Sequence, residues 1–226
     1  DQGNALSESM MSILMDEIKG ASSDQSIKVI VLAANGNVFC SGHDLKEITA
    51  ARENEDSGEV YFKNLFDSCS SLMQLIVNTP QPVIAEVDGV ATAAGCQLVA
   101  SCDLAIASHE SKFATPGVNI GLFCSTPMVA LSRNVNKKNA MEMLLTGDFI
   151  NAEKAKEIGL INNMVQKEEL TFEVSKLAEK IASKSSMTVS IGKKAFYAQA
   201  EMDLSKAYKY TSKTMKDNLL KYDAKE

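Results

Sequence analysis

Residues 82–108 read PVIAEVDGVATAAGCQLVASCDLAIAS, and their reading decides the fold. Residues 82–87 are apolar and partly β-branched, the pattern of a buried strand. Asp88–Gly89 marks a turn. Ala91 to Gly95 is a run of small residues, and a short helix then continues to Cys102, with Ala94 near its first turn. Residues 104–107 form a second buried strand. Strand, helix and strand in so short a stretch predict a parallel sheet with crossover connections.

The neighbouring segments fit the same layout. Residues 29–32 read as another buried strand. Glu59–Asn78 reads as a helix whose Phe62, Leu65, Phe66, Cys69, Met73 and Ile76 share one stripe, and Pro80 and Pro82 stop it. Residues 4–20 read as an amphipathic helix buried through Met10, Met11, Leu14, Met15 and Ile18. From Lys137 onward the pattern is helical, with pieces at 140–145, 152–158, 168–183 and 202–220, and Gly159 stands just beyond a helix end. The sequence therefore predicts an α/β core over residues 1–185. A helical region follows over 186–226.

Composition narrows the function. The net charge of −6 over 226 residues disfavours a nucleic-acid surface, which needs clustered Lys and Arg. Five cysteines, an odd number with no C-x-x-C pair, point to a reducing compartment and away from a disulfide framework. Two histidines, His43 and His109, leave little for a metal site. The uncharged run between Lys112 and Arg133 has the length of a membrane span, but Pro116, Gly117, Gly121 and Pro127 read as loops, so no span is expected. No G-x-G-x-x-G or P-loop pattern occurs.

Two segments carry the chemistry: residues 35–47, NGNVFCSGHDLKE, and residues 88–103, DGVATAAGCQLVASCD. Each sets small residues between a strand and a helix, where a ligand can approach the backbone closely. Free N–H groups and the positive dipole end converge at the first turn of a helix. Two such N–H groups from two loops can hold a developing oxyanion. Two tight turns that merely pack would leave the same pattern.

These motifs resemble those of the crotonase (enoyl-CoA hydratase/isomerase) superfamily. VFCSGHDLKE resembles its first signature and PVIAEVDGVATAAGCQLVASCDLAIAS its second. SKFATPGVNIGL, MLLTGDFINAEKAKEIGLIN and NALSESM add further matches, so the resemblance covers nearly the whole chain. It implies a crotonase-like spiral of β-β-α units with a C-terminal helical region. The family's strand pair before NALS and its closing basic helix are not seen here, and the chain reads as clipped at both ends.

The resemblance also implies roles by position. The two oxyanion N–H groups fall on His43 and Ala94, the latter beside Gly95. The family uses the backbone at the first position, so the imidazole of His43 is not expected to matter. Ser41, Asp44, Leu45 and Lys46 match positions lining coenzyme A, with Lys46 able to meet a phosphate. Asp44 also suits a helix cap. The implied substrate is an acyl-CoA thioester, with no cofactor besides its coenzyme A. The implied assembly is a homotrimer or a dimer of trimers, with 186–226 as its helical oligomerisation region. The implied setting is fatty-acid or acyl-CoA metabolism, in the cytoplasm of a bacterium or, alternatively, in the mitochondrial matrix after removal of a leader.

The departures are as informative. Where hydratases carry two glutamates, this chain has Gln97 and Gly117. An amide does not titrate and glycine offers no side chain. Asn119 and Ser125 remain as polar candidates, and Cys96 and Cys124 read as core residues. Standard hydration is therefore expected to be weak or absent. Installing glutamates at both positions is expected to raise it, provided the FCSTPM loop leaves room for water. The alternative is a non-catalytic acyl-CoA-binding or regulatory protein.

Overall fold

The computed structural model describes residues 3–224. In chain order the elements are α1 (Glu8–Ser23), β1 (Ile30–Ala33), β2 (Val38–Cys40), α2 (Leu45–Ala51), α3 (Glu59–Asn78), β3 (Val83–Val87), β4 (Val90–Thr92), α4 (Ala94–Ser101), β5 (Leu104–Ser108) and β6 (Lys112–Ala114). They continue with α5 (Ser125–Asn134), α6 (Lys137–Thr146), β7 (Ile150–Asn151), α7 (Ala152–Glu157), β8 (Asn163–Val165), α8 (Leu170–Ala182), α9 (Ser186–Ala200) and α10 (Leu204–Leu219).

The strands form two four-stranded sheets, ordered β1-β3-β5-β8 and β2-β4-β6-β7. The first is parallel throughout. The second is parallel except for the β6–β7 pair. Each short turn therefore carries the chain from one sheet to the other, from β1 to β2, β3 to β4 and β5 to β6. A helix returns it after the first two turns. This is the spiral of β-β-α units that the sequence predicts.

The second sheet is what sequence reading missed. Val38–Cys40, Val90–Thr92 and Lys112–Ala114 are three residues long, too short to display a period of two. Segments 35–47 and 88–103, read as loops between strand and helix, each contain one of them. Helix α5 was also unread, whereas α2 follows the Asp44 cap as read and α9 falls within the helical region read over 186–226. α1 starts later than expected because Ser7 caps it, its Oγ accepting from the Met10 N–H at 3.1 Å. α3 runs Glu59–Asn78 as read.

The core lies between the sheets and α1, α3 and α4. Phe113, Leu6, Met11, Ile18, Leu65, Leu72 and Ile76 are its largest fully buried side chains. A smaller cluster of Ile84, Ile106, Leu170 and Val174 seats α8 on the first sheet.

One buried ionic group ties the C-terminal helices to this core. Lys193 of α9 donates to the carbonyls of Ile76 and Gln81, both at 2.9 Å, and to Asp103 Oδ2 at 2.7 Å. Tyr197 donates to Asp103 Oδ1 at 2.9 Å and the Val83 N–H to Oδ2 at 2.7 Å. Asp103 follows the C-terminal end of α4, so the pin fixes the far end of the helix that begins at Ala94.

Candidate functional site

The C-terminal end of β2 and the N-terminal end of α4 meet at one place. β2 pairs with β4 in parallel, Cys40 opposite Ala91. Thr92 Oγ1 then donates to the Ser41 carbonyl at 2.9 Å, tying the two following loops together. Gly42 has φ +93, and a Cβ built there would lie 3.0 Å from Ala93 Cβ and 3.5 Å from Ala94 N. Only glycine lets the first loop pass this close. The structure thus brings the His43 loop against Ala94, the first residue of α4, whose N–H has no acceptor within the helix.

Ala93 enters that helix at φ 50, ψ −117, a conformation natural to glycine and costing an alanine about 1–3 kcal/mol. Its N–H donates to the Ala114 carbonyl at 2.9 Å and its carbonyl accepts from Gln97 N at 3.0 Å, so both neighbours enforce the bend. A Cβ on Gly95 would lie 2.2 Å from the Cys40 carbonyl oxygen, so the first turn of α4 rests directly on β2. Every residue of α4 is buried. Its dipole therefore acts in a water-poor surrounding, where it is less screened than at a surface.

On the first loop, Asp44 is buried and caps α2, its Oδ1 accepting from the Lys46 N–H at 2.8 Å. Leu45 and Lys46 are exposed beside it. The His43 ring packs edge-on against Phe66 of α3, centroids 5.7 Å apart. Its Nδ1 lies 3.3 Å from the Leu6 carbonyl oxygen, while Nε2 is buried with no hydrogen-bond partner. Burial pulls the imidazole pKa below its ordinary value, against the opposing pulls of the Leu6 carbonyl and Glu47.

Gln97 and Gly117, the positions that the resemblance matches to hydratase acids, are placed differently. Gln97 is buried on the face of α4 toward α3, its Oε1 accepting a weak bond from the Cys69 thiol at 3.9 Å. Gly117 lies in the 3₁₀ turn Pro116–Ile120, and a Cβ there would sit 2.2 Å from the Leu122 carbonyl oxygen and 2.8 Å from Cys124 Sγ. A side chain at Gly117 therefore needs the backbone at Leu122 to shift, and the gain in hydration expected from a glutamate there is opposed by this clash. Asn119 and Ser125 are both exposed. Asn119 rests near the turn at Gly147, and Ser125 Oγ donates to the Phe123 carbonyl at 3.4 Å.

The five cysteines are buried and free. Burial pushes the thiol of Cys40 up to about 11 and those of Cys69 and Cys96 up to about 12. Cys124 is raised for the same reason, so none is a nucleophile. Sequence reading passed over Thr92, Phe66 and Glu47. Thr92 was visible only as a polar residue among alanines. Glu47 accepts from Tyr61 Oη at 3.0 Å and from the Glu8 N–H at 3.2 Å, long-range pairings that no local pattern announces. Among the described residues no group of three or more His, Cys, Asp or Glu side chains could hold a metal, and no helix is long and apolar enough to cross a membrane.

Comparison with known proteins identifies the fold and the family. A family model described as enoyl-CoA hydratase/isomerase matches residues 1–226. The chain is 51% identical over 223 residues to the mitochondrial enoyl-CoA hydratase domain-containing protein 3 of Rattus norvegicus, covering 99% of this chain and 73% of that protein. The crystal structure of the human enoyl-CoA hydratase domain-containing protein 3 superposes with a TM-score of 0.94 at 50% identity, over 100% of this chain and 87% of that one. An enoyl-CoA hydratase from Mycobacterium smegmatis gives 0.92 at 46% identity, over 98% and 84%. With the paired spiral sheets and the match along its whole length, the chain belongs to the enoyl-CoA hydratase/isomerase (crotonase) family.

Proposed function

We propose that this protein binds acyl-CoA thioesters, with the thioester oxygen between the N–H groups of His43 and Ala94. The observation that carries the reading is the approach of the two loops at Gly42, which sets the His43 segment against the first N–H of α4. An oxyanion placed there gains roughly 3 kcal/mol or more from such donors. Ser41, Asp44, Leu45 and Lys46 lie along the same loop and would flank the coenzyme A. Lys46, exposed at the start of α2, is placed to meet a phosphate. No separate cofactor is needed.

Hydration of a simple enoyl-CoA needs one group to take a proton from water and another to deliver one to Cα. Gln97 and the sealed position at Gly117 supply neither, and each such role is worth about 10²–10⁴-fold. Hydration of crotonyl-CoA is therefore expected to run orders of magnitude below that of a two-glutamate relative. A non-catalytic, acyl-CoA-binding role is favoured to the extent that turnover vanishes. Binding calorimetry and turnover measured on one panel of short and long acyl- and enoyl-CoA thioesters separate the two readings. No binding across the panel would overturn both, and hydration at an ordinary rate would overturn the assignment of the missing acids.

We place the protein in acyl-CoA metabolism. The mitochondrial names of its relatives favour the matrix over the bacterial cytoplasm. Leu204, Tyr208, Met215 and Leu219 of α10 are more than half exposed, which supports a homotrimer or paired trimers using this helix. Sedimentation as a monomer at micromolar concentration would refute that assembly.

A further inference from the structure

Glycine at position 42 permits the close approach of the two loops, but it is also the residue least able to hold its own backbone. The His43 N–H is useful only if the Gly42–His43 peptide plane faces the right way. That plane is fixed from outside, by the segment preceding α1. The Leu6 N–H donates to the Gly42 carbonyl at 2.7 Å. The peptide is trans, and in a trans peptide the carbonyl and the N–H point in opposite directions. The bond that draws the carbonyl toward Leu6 therefore aims the His43 N–H to the other side of the loop.

The same segment runs along the whole of residues 35–47. The Gly3 carbonyl accepts from the Ser41 N–H at 3.0 Å, the Leu6 carbonyl oxygen lies 3.3 Å from His43 Nδ1, and the Glu8 N–H donates to Glu47 Oε2 at 3.2 Å. None of these bonds uses the His43 N–H. On one side the segment is anchored by the buried Leu6 side chain and the Ser7 cap of α1. On the other it is anchored by Asn4, which stands at φ 52, in the left-handed region that asparagine tolerates. Its Nδ2 donates to the Val38 carbonyl at 2.6 Å and the Asn35 carbonyl at 3.0 Å. Both neighbours can only accept, so the amide nitrogen faces them. β2 carries an extra residue here, since Val38 pairs with Val90 and Cys40 with Ala91. Such a bulge leaves ladder groups unpaired and bends the strand, and Asn4 clamps it just ahead of Ser41.

We propose that Asn4 is the positioning residue of this site: by clamping the bulge in β2 it holds Leu6 against Gly42, and so sets the direction of the His43 N–H. The inference rests on the thioester placement proposed above. Asn4 acts only through the Gly42–His43 peptide and is not itself catalytic. Without the clamp that peptide is free to turn. The thioester oxygen then keeps the donor at Ala94, which belongs to α4, and loses the one at His43.

The test is isotope-difference infrared spectroscopy of butyryl-CoA labelled with ¹³C at the thioester carbonyl, with binding measured in parallel by calorimetry and folding by urea titration. Hydrogen bonds to a carbonyl lower its stretching frequency, so the unaltered protein is expected to shift the band downward on binding. Asn4→Gly keeps the backbone angle and removes both donors. It is expected to lose more than half of that shift, with binding weakened about tenfold or less, the worth of one neutral hydrogen bond. Asn4→Ser, which keeps a single hydroxyl donor, is expected to fall between the two. The position of the band reports each bound molecule, whereas loss of folded protein lowers only its intensity. A band unmoved by Asn4→Gly would therefore overturn the proposal, whether or not binding or melting had fallen. Failure of both variants to fold would assign Asn4 a structural role and overturn it too. Absence of any shift, or of binding, in the unaltered protein sinks instead the thioester placement beneath it.

Discussion

Replacing Lys193 with alanine should be among the most destabilising single changes in the chain. The Lys193 side chain is only 6% exposed and that of Asp103 16%. The substitution removes three short hydrogen bonds at once, to two carbonyls and a carboxylate. It leaves the Ile76 and Gln81 carbonyls without this donor and Asp103 without its counter-charge. Breaking a buried pair by removing one partner costs about 3–5 kcal/mol. In a chain of this length about 1 kcal/mol moves Tm by roughly 2–4 °C, so a fall of about 6–20 °C is expected. Urea unfolding at fixed protein concentration measures it directly. Lys193→Met keeps most of the aliphatic stem, and the difference between the two variants isolates the stem's packing. Adding Asp103→Leu to Lys193→Met should not rescue stability, because Tyr197 Oη and the Val83 N–H would then lose their acceptor. A cost below about 1 kcal/mol for Lys193→Ala, the range of an exposed pair, would refute the reasoning.

Gly42→Ala should weaken acyl-CoA binding at least tenfold in calorimetry, since the new methyl would stand 3.5 Å from Ala94 N and strain a residue at φ +93. Binding unchanged by that substitution would remove the oxyanion site from this place. Gly117→Ala should cost about 1–3 kcal/mol in denaturant by overpacking, and Gln97→Glu with Gly117→Glu should not raise crotonyl-CoA hydration. His43 titrates below its ordinary value of 6.5 because it is buried. The folded state therefore binds fewer protons than the unfolded one between the two pKa values. Its contribution to stability is present above about 6.5 and declines as pH falls below that. His43→Phe should flatten this part of the urea-midpoint profile.

Much of the architecture was legible because burial writes a period into the sequence. The stripe on Glu59–Asn78 and the apolar runs at β3 and β5 needed only one face or two to be dry. The second sheet was illegible because its strands hold three residues or fewer and take their partners from distant turns of the spiral. The site divided along the same line. Ser41–Gly42 and Ala91 to Gly95 announce close backbone approach by their small size. The state of the His43 ring depends on Leu6 and Phe66, and the closure at Gly117 depends on the path of Leu122 and Cys124. Neither could be read until the chain was folded.

The turn at Gly117 also bears on how this protein can change over generations. In an open loop a carboxylate is one codon away from glycine, and selection can test it at once. Here the Leu122 carbonyl and the Cys124 sulfur occupy the place its first carbon would need. A glutamate arriving alone meets a fold that rejects it before any chemistry can be rewarded. The backbone from Leu122 to Cys124 would have to shift first, with no catalytic gain to favour the shift. The loop thus works as a lock: a second glutamate cannot be gained at this position by a single substitution.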